Sequence, residues 1–246
     1  MAISRISSVF CLVALTLLSA CQQVDDGRPE TSHEFPRADR PVSAVTSNEF
    51  SNEDQRDDLG EAGVVMDLAA IGAGTTVADI GAGEGYYTIR LAERVGAKGR
   101  VLAQDIDPEA LRRLGARVER ERLDNVAIKL GASDDPRLPK ASFDRIFMVH
   151  MYHEVTEPYA FLWQMQPALR PGGQVIVVDT DRPTDQHGMP PELLFCEFQA
   201  LGFRLVEFVR KPELKGYYAQ FEAAGARPAP RAIKPCPAAT GKLGAK

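Results

Sequence analysis

Val77-Ala78-Asp79-Ile80-Gly81-Ala82-Gly83-Glu84-Gly85-Tyr86 is the stretch on which the fold turns. An apolar run enters a turn built almost wholly of small residues, and a helical pattern follows at once. Small residues at such a turn let a ligand approach the backbone. A dinucleotide fingerprint spaces its glycines Gly-x-Gly-x-x-Gly, whereas here the sixth position is Tyr86 and the third glycine falls one residue early, at Gly85. That spacing disfavours NAD. Asp79 points the same way, because a carboxylate beside the loop repels a pyrophosphate and attracts the ammonium group of an amino-acid-bearing cofactor such as S-adenosylmethionine.

Outward from this turn, strand and helix alternate. Strands are expected at 76–80, 100–105, 126–130, 143–149, 174–179, 204–209 and 217–221. Helices are expected at 61–71 and 85–95, in a segment capped by Asp107 with Pro108 in its first turn, around Phe161 to Leu169, and near 191–201. Pro171-Gly172-Gly173 reads as the stop of the helix carrying Phe161, Leu162, Met165 and Leu169. Alternation of this kind means a mostly parallel sheet covered by helices.

Ligands of such sheets bind at the carboxyl ends of the strands, so the loops after the first three strands converge on one rim. Asp105 stands twenty residues beyond Gly85, where a carboxylate accepts both hydroxyls of a ribose. Ile106 is placed to pack on the adenine face. Ala132, Ser133 and Asp134, in the loop after the third strand, are placed to read the adenine edge. A tight strand-to-helix turn uses glycine for backbone reasons alone. The agreement in register of Asp79, the three glycines and Asp105 favours a nucleoside site.

On these residues the sequence resembles the class I S-adenosylmethionine-dependent methyltransferases. Asp79 to Gly85 are similar to their first motif and Asp105 to their second. Leu138-Pro139 with Ser142-Phe143-Asp144 looks like their approach to the fourth strand, and Leu169-Arg170-Pro171-Gly172-Gly173 like a further signature. The resemblance spans about 64–221. It implies a Rossmann-like three-layer sandwich with a seven-stranded, mostly parallel sheet whose last strand is antiparallel. It also implies S-adenosylmethionine as cofactor, with Asp79, Gly81, Gly83 and Gly85 at its methionine part and Asp105 at its ribose.

Methyl transfer from a sulfonium chiefly requires the nucleophile to be positioned near the methyl carbon. The fourth strand ends in His150-Met151-Tyr152-His153-Glu154, and either His150 or His153 could deprotonate an acceptor. Packing or capping is the alternative role for each. His187, in the loop after the fifth strand, is a third candidate. His150, His153, Glu154 and His187 offer donors suited to zinc, but His150 and His153 lack the i, i+4 spacing of a helical metal site and no cysteine or second acidic ligand completes a set, so no metal is expected. A Gly-x-Ser-x-Gly elbow is also missing, which argues against a serine hydrolase.

The ends of the chain carry a different message. Arg5 precedes an apolar run and the small residues Ser19 and Ala20, the pattern of an export signal over 1–20. The run is too short for a spanning helix. Leu17-Leu18-Ser19-Ala20-Cys21 looks like a bacterial lipobox, which implies lipid on the Cys21 sulfur and anchoring in the cell envelope, at the periplasm or outer membrane. Residues 21–48, with Pro29, Pro36 and Pro41, read as a polar tether, residues 49–222 as the methyltransferase-like domain, and residues 223–246 as a flexible tail. Export leaves Cys196 and Cys236 either to pair in an oxidising compartment or to remain reduced, with Cys196 in an apolar setting.

The chain of 246 residues is 44% hydrophobic and 26% charged, with 29 Lys and Arg against 34 Asp and Glu, a formal net charge of -5. Those proportions are ordinary for a globular protein, and the negative balance argues against nucleic acid as partner. The partners expected are a small-molecule or envelope substrate, and a membrane through the lipid anchor only. Two functions follow: a methyltransferase acting on an envelope acceptor, or a binding lipoprotein that keeps the fold without the transfer. The intact glycine loop and Asp105 favour the enzyme.

Overall fold

The computed structural model describes residues 26–44 and 52–237. The expected signal over 1–20 and the lipidation site Cys21 lie outside the described residues. Among the described residues, no helix is long and apolar enough to cross a membrane.

The chain forms α1 (Glu53–Asp58), α2 (Glu61–Leu68), β1 (Thr76–Ile80), α3 (Tyr86–Val95), β2 (Arg100–Asp105), α4 (Pro108–Glu121), β3 (Val126–Leu130), β4 (Phe143–Val149), α5 (Pro158–Met165), β5 (Leu169–Asp179), α6 (Pro191–Ala200), β6 (Phe203–Lys211) and β7 (Gly216–Ala223). The strands make one sheet in the order β3-β2-β1-β4-β5-β7-β6. β7 runs antiparallel to both neighbours, β5 and β6, and the remaining pairs are parallel. This is the expected doubly wound, seven-stranded sandwich, and β1 to β4 begin and end where the sequence pattern puts them.

Strand alternation sends successive side chains to opposite faces, and two core layers result. Ala78, Ile80, Ile146, Met148, Val175 and Val177 face α5 and α6. Val77, Phe147, Ile176 and Val178 share the other layer with Leu91, Ala92 and Val95 of α3. The order places β1 and β4 side by side at the centre. Their carboxyl ends, with that of β2, therefore open on one crevice where the strand order reverses.

Four segments depart from the sequence reading. Residues 26–44, expected as a free tether, lie along the domain. Phe35 is buried and meets the edge of Trp163 at 5.6 Å. Arg28 forks onto Glu157 at 2.6 and 2.7 Å. Arg40 is buried against Glu197 at 2.8 Å and donates to the Val155 carbonyl at 3.2 Å. Each anchor meets a different element, so the segment has no periodicity to betray its packing.

The segment after β7, expected as a flexible tail, is likewise fastened over residues 224–237. A disulfide joins Cys196 to Cys236 with Cα atoms 6.0 Å apart, resolving the two readings in favour of pairing. Trp163 donates from Nε1 to the Pro228 carbonyl at 2.9 Å, and the Arg227 guanidinium lies 3.5 Å over the Trp163 ring.

Leu169-Arg170-Pro171-Gly172-Gly173, expected at the end of a helix, opens β5 instead. The register against β4 shifts between Phe143 and Arg145, which accommodates the irregular stretch. Finally, α1 was not expected. It is one short turn-and-a-half of charged residues capped by the Asn52 side chain, without an apolar face.

Candidate active site

At the carboxyl ends of β1, β2 and β4 the loops enclose a cavity of about 420 Å³, within the range of small-molecule and cofactor sites. The glycine turn forms one wall. Gly81, Gly83 and Gly85 all have positive φ, at 68°, 52° and 96°. Gly85 is further constrained by α4, since a Cβ there would stand 2.4 Å from Leu114 Cδ1. At Gly83 a Cβ would meet nothing within 4 Å, so that backbone faces open space.

Asp105 ties this wall to the next. Its Oδ2 accepts the Gly83 N–H at 2.8 Å and its Oδ1 accepts the Asp107 N–H at 2.9 Å. An ionised carboxylate offers about four acceptor positions, so a lone pair on each oxygen remains for a diol. Ile106 is 43% exposed at the cavity edge, an apolar surface suited to a flat ring. Ala132 and Ser133 line the same cavity.

Two expected site residues sit elsewhere. Asp79 is buried beneath the loop, where it accepts the Thr88 hydroxyl at 2.6 Å, and it does not line the cavity. Burial pushes its carboxyl up to about 6, against the opposing effect of the Thr88 hydrogen bond. Asp134 turns inward, accepts the hydroxyls of Thr31 and Ser32, and does not line the cavity. Nothing in the sequence marked Thr31 and Ser32 as its partners, because they lie about a hundred residues away.

The opposite wall is the loop after β4. His150 is buried with φ of 53°, and its Nε2 stands 3.6 Å from Glu61 of α2. Burial alone would raise the Glu61 carboxyl, but His150 and Arg56 together hold it down at about 2. His153 is 1% exposed. Its Nδ1 lies 3.0 Å from both carboxylate oxygens of the fully buried Asp179, at the end of β5. Since an ionised carboxylate only accepts, the hydrogen of a neutral ring belongs on Nδ1, with the lone pair on Nε2. Both histidines line the cavity.

Glu154, beside them, is held at about 7, first by burial and then by the nearby charges of Asp105 and Asp179, with His153 opposing. Asp179 and Glu154 were not assigned roles from sequence, although a carboxylate at the end of a parallel strand is itself a rim signal. Glu53 and Arg56 of α1 also reach the cavity. Arg56 is fixed by Glu61 at 2.5 Å and stacks 3.8 Å over the Tyr86 ring. In the cavity lining Glu53, Glu84, Asp105, Asp107 and Glu154 outnumber Arg56 and Arg113, which favours a cationic ligand over a phosphorylated one.

The doubly wound sheet with its glycine turn and acidic strand end has the Rossmann-like architecture of the methyltransferase fold. Over residues 77–173 the chain matches the family model described as a methyltransferase domain. The ubiquinone/menaquinone biosynthesis C-methyltransferase UbiE of Methylococcus capsulatus is 32% identical over 149 residues, 60% of this chain and 58% of that one. The demethylmenaquinone methyltransferase of Listeria welshimeri is 30% identical over 118 residues, 48% of this chain and 50% of that one. The chain thus spans between half and three fifths of the length of these curated relatives.

Among solved structures, an S-adenosylmethionine-dependent methyltransferase from Aquifex aeolicus superposes with a TM-score of 0.62 at 24% identity, over 68% of this chain and 91% of that one. The [4+2]-cyclase SpnF superposes with a TM-score of 0.60 at 15% identity, over 77% of this chain and 89% of that one. A protein titled a cyclase thus shares this fold. The reaction must therefore be read from the site and not from the sheet.

S-adenosylmethionine fits the residues present. The cavity volume, the open backbone at Gly83, the remaining lone pairs of Asp105 and the acidic rim suit a nucleoside joined to a positively charged amino acid.

Proposed function

We propose that the protein transfers a methyl group from S-adenosylmethionine to a small, hydroxyl-bearing acceptor in the cell envelope. The observation that carries this reading is the cavity itself, in which the Gly81 to Gly85 turn and Asp105 face His153 and Glu154. Bound S-adenosylmethionine supplies a methyl group on a sulfonium, open to in-line displacement.

The chain's own residues bind and orient. Asp105 receives the ribose hydroxyls with the lone pairs not used by Gly83 and Asp107. Ile106 covers one adenine face, while Ala132 and Ser133 border its edge. The backbone of Gly81, Gly83 and Gly85 meets the methionine part, and Asp79 acts from beneath by fixing the first turn of α3 through Thr88. On the acceptor side Asp179 fixes the His153 ring, so that Nε2 is the atom presented beside the acceptor. His150 holds Glu61 and Arg56 at the edge of the cavity and serves positioning.

The quinone-biosynthetic names of the curated relatives support an acceptor of quinol type. The lipobox-like ending at Cys21 supports an envelope location. Incubation of the purified chain with methyl-labelled S-adenosylmethionine and an envelope extract tests the reading. Label is expected in an extractable small molecule. Cofactor binding without any transfer of label would instead make this a binding protein.

A further inference from the structure

Beside the cofactor cradle, the rim brings together a second set of donors from two different loops. One ligand atom each of His153, Glu154 and His187 lies within 4.8 Å of the others. His153 and Glu154 come from the short turn after β4, and His187 ends the turn Thr184–Gln186 after β5. Two independent features distinguish this set from neighbouring side chains that merely touch.

The first is the arrangement behind His153. A buried carboxylate, Asp179, receives its Nδ1–H and leaves Nε2 as a donor lone pair 3.9 Å from Glu154. A carboxylate in that position is the usual outer partner of a metal-bound imidazole, since it fixes the tautomer and makes the opposite nitrogen a better donor. The second is His187. Its Nδ1 is buried without a hydrogen-bond partner among the described residues, and such an atom calls for an explanation. The loop is nonetheless firmly set: the His187 N–H donates to Ser43 Oγ at 2.9 Å, and its carbonyl accepts from Arg182 at 3.0 Å.

We propose that His153, Glu154 and His187 bind one divalent transition-metal cation, and that its open coordination position receives an oxygen of the methyl acceptor. Two imidazoles and one carboxylate suit zinc and disfavour calcium or magnesium. Zinc bonds of about 2.0 to 2.1 Å set tetrahedral ligand atoms roughly 3.3 Å apart. The present 4.8 Å span is wider than this, so metal binding requires the half-buried Glu154 and His187 side chains to move inward. Coordination makes the acceptor hydroxyl more acidic. Its O–H bond breaks, the proton passes to water, and the electron pair stays on the oxygen as the nucleophile; as the O–C bond to the methyl forms, the C–S bond breaks and its electron pair leaves with the sulfur, as S-adenosylhomocysteine. The acceptor half of this proposal rests on the methyl-transfer reading, but the cation site does not.

The test uses the untagged full chain, stripped with a chelator and titrated with zinc by calorimetry, with metal content checked after gel filtration. One zinc per chain is expected. Glu154→Gln and His187→Ala should each weaken binding at least tenfold, and Asp179→Asn, which touches no metal, by 10- to 100-fold. Near-ultraviolet circular dichroism confirms that each variant is folded. Should His187→Ala fail this check, His187→Gln takes its place, and cobalt absorption in the wild type reports nitrogen ligation directly. A wild type that binds no zinc, or zinc affinity unchanged in Glu154→Gln and His187→Ala, overturns the site. Either result leaves S-adenosylmethionine binding, and with it the methyl-transfer reading, to be judged separately.

Discussion

Asp105 holds Gly83 by its N–H at 2.8 Å, so the residue placed to receive the ribose also sets the shape of the glycine turn. Its second oxygen holds the Asp107 N–H and thereby the entry to α4. A single carboxylate therefore couples the two walls of the cavity, and changes there reach the cofactor by two routes.

Asp105→Ala is expected to weaken S-adenosylhomocysteine binding by about 1.5 to 3 kcal/mol, the range for hydrogen bonds to a charged group. Asp105→Asn, which keeps an acceptor for one of the two backbone N–H groups, should lose less. Titration calorimetry of both variants checks this order. Unchanged affinity in Asp105→Ala would remove the residue from the site.

The buried Asp79 predicts an unusual dependence of stability on pH. Its carboxyl is raised to about 6 in the fold, against about 3.9 in an unfolded chain. Between those values the native state binds more protons than the unfolded one, so this group's contribution is complete below pH about 4 and is lost as pH rises through 6. Asp79→Asn should therefore melt above the wild type at pH 8, and the difference should shrink on acidification towards pH 4. A melting difference of the same size at both pH values would contradict the account.

Cys196 and Cys236 close a loop with a sequence separation of 40. On the chain-entropy model this contributes about 4 kcal/mol. Reduction, or Cys236→Ser, is expected to lower the melting temperature and open residues 224–237 to protease, while the sheet and its cavity persist. Equal protease resistance with and without reductant would show that Trp163, Pro228 and Arg227 suffice to hold the segment.

Much of the fold was legible because its signals are local. The 76–80 strand, its glycine turn and the Asp107-Pro108 helix start are each written in consecutive residues, and the structure reproduces them. Asp105 and Ile106 were legible because the rim of a parallel sheet follows from strand order alone. What escaped depends on distant partners. Arg40 meets Glu197 across 157 residues and Thr31 meets Asp134 across 103. No period or motif announces such pairs. The structural roles of Asp79 and Asp134 escaped for the same reason, since a carboxylate looks alike in sequence whether it faces a cavity or a hydroxyl.

The Arg40–Glu197 pair has both side chains 1% exposed, and Glu197 also accepts the Tyr152 hydroxyl at 2.7 Å. Arg40→Ala leaves a buried carboxylate unpaired and should cost about 3 to 5 kcal/mol. Replacing the pair together, as Arg40→Met with Glu197→Gln, should cost less than Arg40→Ala alone. Urea unfolding of the two variants measures the order. A loss under about 1 kcal/mol for Arg40→Ala would mean that residues 26–44 contribute little to the fold.

The central claim is that the acidic rim and glycine turn bind a positively charged sulfur nucleoside. Calorimetric titration of the full chain with S-adenosylmethionine, S-adenosylhomocysteine and NAD tests it most directly. Saturable heat from the first two and none from NAD is the predicted result. Heat from NAD alone, or from none of the three, would contradict it.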